Sequence, residues 1–426
     1  MTTNGSPVGQ NGRNHNFGFT VAVFESKMAT MYPRLLKIED IPPYQSFFLF
    51  GARGTGKSTL IQKYLKTQNF PFLIYDFLKS EDYLRLHSKP HQFRLEVEEH
   101  LKKNPHFPLQ VHVDEVQKVP LLLDEVHSFI ESHPKQVRFI LSGSSARKLK
   151  RSGANLLAGR AWERKLFPLT PLELGEDFSL LSQLQFGSLP LSISLTPQEK
   201  KEYLSAYVSS YLKEEIQAEA AVRRLDSFHR FLEAAARCNG ELTNFSTISS
   251  EAQVPRKTVA NYYEILEQTL LGFFLPSWGH HLSRKELVTH GKFYFFDTGI
   301  VSALTQHLGG QLAEKSPLFG HYFEHFLLLQ FKALHHYKGT EHRVGFYRTH
   351  SGVEIDLIEE KPGSLRAIEI KSHSELQGGD LRGLKNFGEK FPEAQLLLVC
   401  QAPKSYSLGK IRIVAWKDFL EEEWGN

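Results

Sequence analysis

Short apolar runs alternate with longer amphipathic stretches through the first third of the chain. Phe47–Phe50, Pro71–Phe77, Leu109–Gln117 and Gln136–Ser145 are strand-length runs bounded by Gly, Pro or charged turns. Between them lie a helix after Gly56, a charged helix over Ser80–Lys102 with a break at Pro90, and a Leu-rich helix ending near Ser132. Strands alternating with helices predict βαβ units and a parallel sheet, with ligand chemistry at the carboxyl ends of the strands. Beyond Pro168 and Pro171 the pattern turns helical. From Pro197 to Ala236, Tyr203, Tyr207 and Tyr211 recur every four residues beside Leu204, Val208 and Leu212, a stripe that predicts buried helix. Leu242–Leu266 reads as a short helix, a turn, and a helix opened by Pro255. Leu271–Pro276 and Lys292–Asp297 are strand-like and suit the wing of a winged helix. The last part holds a helix at Phe319–Leu329 and strands at Val344–Thr349, Gly352–Ile358 and Leu365–Lys371.

The first strand runs into Gly51, Ala52, Arg53, Gly54, Thr55, Gly56, Lys57, Ser58 and Thr59, which fit the phosphate-loop pattern G-x-x-x-x-G-K-[ST] without mismatch. Glycines let backbone N–H groups wrap an anion, and the following helix aims its positive end at it. Lys57 suits the β- and γ-phosphates of ATP, and the Ser58 hydroxyl suits Mg²⁺. Asp114 and Glu115 end a buried strand, where Asp114 can share the metal and Glu115 can polarise the attacking water. Ser142 and Ser144 end the neighbouring strand and are candidates for sensing the γ-phosphate.

This region resembles the AAA+ ATPases, with Gly51–Ser58 as Walker A, Val111–Glu115 as Walker B and Ser142–Ser144 as sensor 1. The resemblance implies a ring, expected to be hexameric, in which an arginine of one subunit reaches its neighbour's γ-phosphate. Arg147, Arg160 and Arg164 are the candidates, in a stretch so basic that a plain surface helix is an equal reading.

Two further constellations bear on partners. Arg256, Lys257, Thr258 and Asn261, with Tyr262, lie near the start of the second helix of the helix-turn-helix pattern, where such motifs meet DNA; packing against protein is the alternative. In the last part, Glu324 on a helix, Asp356 on one strand and Glu369-x-Lys371 on the next resemble the core of PD-(D/E)xK nucleases, whose paired carboxylates bind a divalent cation. Such a fold can cleave DNA or only bind it.

From about residue 32 onward the chain resembles bacterial and archaeal AAA+ ATPases carrying a C-terminal DUF4143 domain, on Phe139–Ser145, Leu157–Arg160, Tyr211–Ile216, Phe293–Gly299, Tyr347–Thr349 and Ala367–Lys371. Lys213, Glu214, Glu215 and Ile216 depart from the Arg-Asp pair the resemblance leads one to expect. The expected fold class is therefore multidomain α/β: a tail over 1–30, a P-loop AAA+ parallel-sheet core over 31–175, a helical lid over 176–236, a winged helix over 237–290, and a restriction-endonuclease-like α/β domain over 291–426.

Composition adds bounds. The 426 residues carry a net charge of only +4, so nucleic acid is permitted without being required. Two cysteines without metal-ligand spacing argue against a disulfide framework and fit a reducing, cytoplasmic setting. No apolar run approaches membrane-spanning length. The expectation is an Mg²⁺-dependent ATPase acting on DNA through its C-terminal half. The alternative is an ATP-dependent switch or scaffold of defence or toxin–antitoxin type, with an inert nuclease fold.

Overall fold

The computed structural model describes residues 32–104, 107–145, 147, 149, 157, 159–211, 225–279, 291–340, 342–349 and 352–425. The tail over 1–30 and Lys213–Ile216 lie outside the described residues.

Five strands form the first sheet: β1 (Ser46–Phe50), β2 (Phe72–Asp76), β3 (Leu109–Asp114), β4 (Val137–Gly143) and β5 (Ala161–Lys165), in the order β2-β3-β4-β1-β5. Every pairing is parallel. The inner strands β1, β3 and β4 are buried at every position, which is why they read as unbroken apolar runs. Alternation then sorts them. Phe47 and Leu49 pack with Ile61, Tyr64 and Leu65 of helix α1 (Lys57–Thr67). Phe48 and Phe50 face the other way, toward Phe93 and Phe129. The charged stretch is two helices, α2 (Ser80–Ser88) and α3 (His91–Lys103), broken at Pro90 as its ring and missing N–H require. Helix α4 (Leu122–Ser132) follows β3. One expectation needs correction. The end of the basic stretch is not a surface helix: Ala161–Lys165 is the edge strand β5, held by hydrogen bonding to β1.

Helices α5 (Leu180–Phe186), α6 (Pro197–Ala206) and α7 (Leu225–Arg237) come next. A single π-turn over Tyr207–Tyr211 extends α6. Helices α8 (Phe245–Ala252) and α9 (Arg256–Gln268) are joined through Gln253, and β6 (Gly272–Leu275) pairs antiparallel with β7 (Lys292–Phe295). Asn244 caps α8 by accepting from Ser246 N and Thr247 N.

After α10 (Thr298–Leu304), the 22-residue α11 (Pro317–Lys338) leads into a six-stranded mixed sheet. Its strands are β8 (Arg343–Arg348), β9 (Glu354–Lys361), β10 (Ser364–Ile370), β11 (Gln395–Cys400), β12 (Tyr406–Leu408) and β13 (Ile411–Ala415), ordered β12-β13-β11-β10-β9-β8. Helix α12 (Arg382–Lys390) packs Leu384 and Phe387 on one face, against Ile355, Ile358 and Leu398. On the other face, α11 and α13 (Trp416–Gly425) pack against Leu357, Ile368 and Val399. That second core is continuous with Leu184, Phe231, Tyr263 and Phe293, so the helical region, the helix-turn-helix and the last sheet share one apolar cluster. Among the described residues no helix is long and apolar enough to cross a membrane.

Candidate active site and the second acid cluster

The phosphate loop leaves β1 at Phe50 and enters α1 at Lys57. Gly54 (φ +82°) and Gly56 (φ +90°) hold left-handed conformations that a side chain would strain, so both glycines are needed for the turn. Lys57 is buried, and its ammonium donates to Gly51 O at 2.8 Å and Ala52 O at 3.2 Å, over its own loop.

Ser58, Asp114 and Ser142 come together from three elements. Ser58 Oγ donates to Asp114 Oδ2 at 2.6 Å, and Ser142 Oγ to Asp114 Oδ1 at 2.5 Å. The Glu115 backbone N–H adds a bond to Oδ1 at 3.1 Å. Behind them His112 Nε2 lies 2.9 Å from Ser142 Oγ. Because the hydroxyl proton goes to the carboxylate, Nε2 must be the donor, which leaves Nδ1 unprotonated; it is buried without a hydrogen-bond partner among the described residues. Burial pushes His112 down to about 4, against smaller upward pulls from Asp114 and Asp76, so the ring is neutral near pH 7.

Glu115 stands at φ +55°, unusual for a residue with a side chain and a feature of functional sites. Its carboxylate is gripped by Gln117 Nε2 and by Ser144 Oγ at 3.3 Å, while Gln117 Nε2 also reaches Ser144 Oγ at 3.0 Å. Gln117 carries no motif, yet it bridges the expected water-positioning acid to the expected sensor.

One neighbour of the loop carries no signal in the sequence, and two others have a use that their spacing does not show. Arg34 Nη1 donates to Thr55 O inside the loop at 2.7 Å, and its Nε to Glu173 Oε1 at 2.9 Å. Its Nη2 reaches Phe167 O at 2.6 Å and the Tyr337 hydroxyl of α11 at 3.3 Å. The Tyr207 hydroxyl donates to Arg53 O at 3.0 Å, and Tyr203 lies against Gly54. Tyr203 and Tyr207 of the stripe are packed, as its spacing predicts, but what they pack on is the phosphate loop. Only an unexpected buried arginine could have signalled Arg34, and nothing in its local sequence marks burial.

The candidate arginines differ in place. Arg147 is half-buried, its N–H bonded to Ser145 Oγ at 3.0 Å. Arg160 precedes β5 and pairs with Glu131 at 2.5 Å. Ala161 aligns with Ser46 and Lys165 with Phe50, so Arg160 is at the end of the sheet opposite its own phosphate loop, ~16 Å along the strand direction. Arg164 stacks on the Trp162 ring at 4.9 Å. In the helix-turn-helix, Arg256, Lys257 and Asn261 are exposed and Thr258 is half-buried. Tyr262 is corrected: it packs against Phe228 and Phe231 at 4.9 and 5.1 Å and belongs to the core.

The fold does bring Glu324, Asp356, Glu369 and Lys371 together. Asp356 Oδ2 accepts from Ile370 N at 2.8 Å, and Lys371 Nζ lies 2.6 Å from Glu369 Oε1. Burial drives the Asp356 carboxyl well above its ordinary value, with Glu369 and Glu324 adding to the rise. Glu354, which alternation puts on the same face of β9 as Asp356, joins them, and one residue was not foreseen: Lys292 on β7, in contact with Glu354 at 2.6 Å.

Elsewhere in this domain His335, His342 and Glu359 place their ligand atoms within 4.8 Å of one another. Glu359 there is already paired with Lys361 at 2.8 Å and Arg366 at 3.1 Å, and His335 with Glu423 at 2.7 Å. These contacts join α11, α13, β9 and β10, a structural tie in which Glu359 and Glu423 are both already engaged by Arg366.

Against known proteins, residues 44–175 match the sequence model of the AAA domain, residues 178–310 that of a domain of unknown function, DUF8612, and residues 319–419 that of another, DUF4143. The DUF8612 match runs through the helical region, the helix-turn-helix and β7. Uncharacterised proteins of Mycobacterium bovis and Mycobacterium tuberculosis are each 24% identical over 265 residues, 62% of this chain and 59% of theirs. One of Haemophilus influenzae is 25% identical over 278 residues, 59% of this chain and 66% of its own. The chain thus spans less than two thirds of the length of these curated relatives. PCH-2 of C. elegans, a solved structure, is 16% identical over 39% of this chain and 44% of its own, at a TM-score of 0.24. The chain is therefore similar to the AAA domain over residues 44–175 and to the DUF4143 domain over residues 319–419.

Proposed function

We propose that the chain is an Mg²⁺-dependent ATPase whose nucleotide cycle acts on DNA through its C-terminal half. The observation that carries this reading is the bond from Ser58 Oγ to Asp114 Oδ2, between residues 56 apart in sequence. A hydroxyl at a helix N-terminus and a carboxylate at a strand end, sharing one point beside a phosphate loop, suit an octahedral, oxygen-preferring cation. Ser58 and Asp114 would hold Mg²⁺, which neutralises charge on the phosphates. The loop N–H groups and the Lys57 ammonium would bind the phosphates, the ammonium leaving its carbonyl partners to do so. Glu115, oriented by Gln117 and Ser144, would take up the proton of the attacking water.

In a ring, expected to be hexameric, Arg160 lies at the sheet end far from its own loop, so any γ-phosphate it reached would belong to a neighbouring subunit. Arg147 and Arg164 remain candidates for the same task. Arg256, Lys257, Thr258 and Asn261 would meet the DNA. Electron microscopy of the ATP-bound form would report the subunit number.

Nucleotide binding and turnover test the core of the reading. Lys57→Ala should lose nucleotide binding. Glu115→Gln should bind ATP and hydrolyse it ~10²–10⁴-fold more slowly. Undiminished hydrolysis in both variants overturns the assignment.

A second reading, an ATP-dependent switch with an inert nuclease-like fold, is favoured by the buried Lys292 ammonium beside Glu324 and Glu354. DNA-stimulated hydrolysis without cleavage supports the motor, cleavage lost in both Asp356→Ala and Lys371→Ala supports a nuclease, and neither response leaves the switch.

A further inference from the structure

Lys292 opens β7 opposite Leu275, and its side chain is 5% exposed. Its Nζ lies 2.6 Å from Glu354 Oε1 and 3.6 Å from Glu324 Oε1, with the Phe346 ring closing one side at 5.5 Å. Tyr294, two residues along the same strand, donates its hydroxyl to the same Glu324 oxygen at 2.7 Å.

The other acids are engaged as well. Asp356 accepts from Ile370 N and Glu369 from Lys371 Nζ. Each of these carboxylates therefore directs an oxygen at a donor of the protein. A hard divalent cation asks for about six oxygens converging on one point at 2.0–2.6 Å. Among the described residues, no three of Glu324, Glu354, Asp356 and Glu369 bring ligand oxygens within 4.8 Å of one another. Glu369 Oε2 is buried without a hydrogen-bond partner among the described residues, which is a single ligand and far short of a site. An ammonium at this place also repels a second cation, strongly so in a water-poor interior. The residues therefore do not fit the divalent cation that a nuclease-like constellation implies.

We infer that the Lys292 ammonium stands in the place of the divalent cation, so that the C-terminal domain holds its acids together by an internal ion pair and lacks metal-dependent cleavage of nucleic acid. The acids and lysine of the sequence pattern thus serve as a structural knot joining β7, α11, β9 and β10.

The test is a Mn²⁺ titration of the full chain followed by electron paramagnetic resonance, without nucleotide and so independent of ATP turnover. Wild type and Asp356→Asn should bind the same amount of Mn²⁺, and neither should cleave DNA in its presence. Lys292→Met keeps most of the stem on Phe346 and removes the charge. It should gain one bound Mn²⁺ per chain and a Mn²⁺-dependent rise in melting temperature, both lost again when Asp356→Asn is added. A folded Lys292→Met that gains no Mn²⁺ overturns the inference. So does wild-type Mn²⁺ binding or DNA cleavage that Asp356→Asn abolishes. Those two wild-type arms decide the matter even where Lys292→Met fails to fold.

Discussion

Arg34 Nη1 donates to the carbonyl of Thr55 at 2.7 Å, from outside the phosphate loop and 21 residues before Thr55. The same guanidinium holds Glu173 and touches Tyr337, so one side chain ties the loop to the end of the AAA domain and to α11. Helix α11 also carries Glu324 of the acid cluster, so one continuous helix runs between the two constellations.

Arg34→Ala should destabilise the protein by about 3–5 kcal/mol, because it leaves the buried Glu173 carboxylate without its cation. Arg34→Lys should recover little, since an ammonium lacks the planar fork that serves four acceptors at once. Denaturant unfolding measures the first effect. ATP titration of the surviving folded protein should show weakened binding, because Thr55 loses its anchor.

Gln117→Ala should lower turnover roughly tenfold or more while leaving nucleotide affinity nearly unchanged. Gln117 touches Glu115 and Ser144 but none of the residues expected to hold phosphate or metal. Parallel losses in affinity and rate would show that Gln117 supports the loop as a whole.

Stability should fall as the solution is acidified from pH 6.5 toward 4, in part through His112. Its folded value, about 4, lies below its unfolded one, so the unfolded chain binds the proton first and is favoured as pH drops. A shift of that size corresponds to about 3 kcal/mol. His325 and His336, both also pushed down to about 4 by burial, act in the same direction. The difference between wild type and His112→Asn, followed by thermal melting across this range, isolates the one ring.

Asp297 should act with the opposite sign. Burial pushes its carboxyl up to about 6, against the Ser188, Gly299 and Ile300 N–H groups, which pull it down. The folded chain therefore holds the proton more tightly, and this contribution is present below about pH 4 and lost as pH rises through 6. About 3 kcal/mol is at stake. Asp297→Asn should flatten the wild-type loss between pH 4 and 6 in the same melting series.

The parallel core was legible because its strands are buried on both faces and its ligand loop needs glycines at set spacings. Phe47–Phe50, Leu109–Asp114 and Val137–Gly143 announce themselves by composition alone, and Pro90 marks a helix break by covalent geometry. Strand β5 was not legible. Its basic residues Arg164 and Lys165 suit an exposed helix equally well, and only pairing with β1 makes Ala161–Lys165 a strand.

The local features were already written in the order of residues: the phosphate loop, the acids at the strand end, the helix-turn-helix and the alternation that gathers Asp356, Glu369 and Lys371. These depend on neighbours in the chain, on backbone conformation and on a repeat of two or four residues. Tertiary structure alone decided how those features are used. Arg34, Gln117, Tyr207 and Lys292 reach their partners across the fold, and Arg34 and Tyr337 stand 303 residues apart. Burial and charge are properties of the assembled space around a side chain. A lysine beginning a short strand reads as ordinary until the fold sets its ammonium between Glu324 and Glu354.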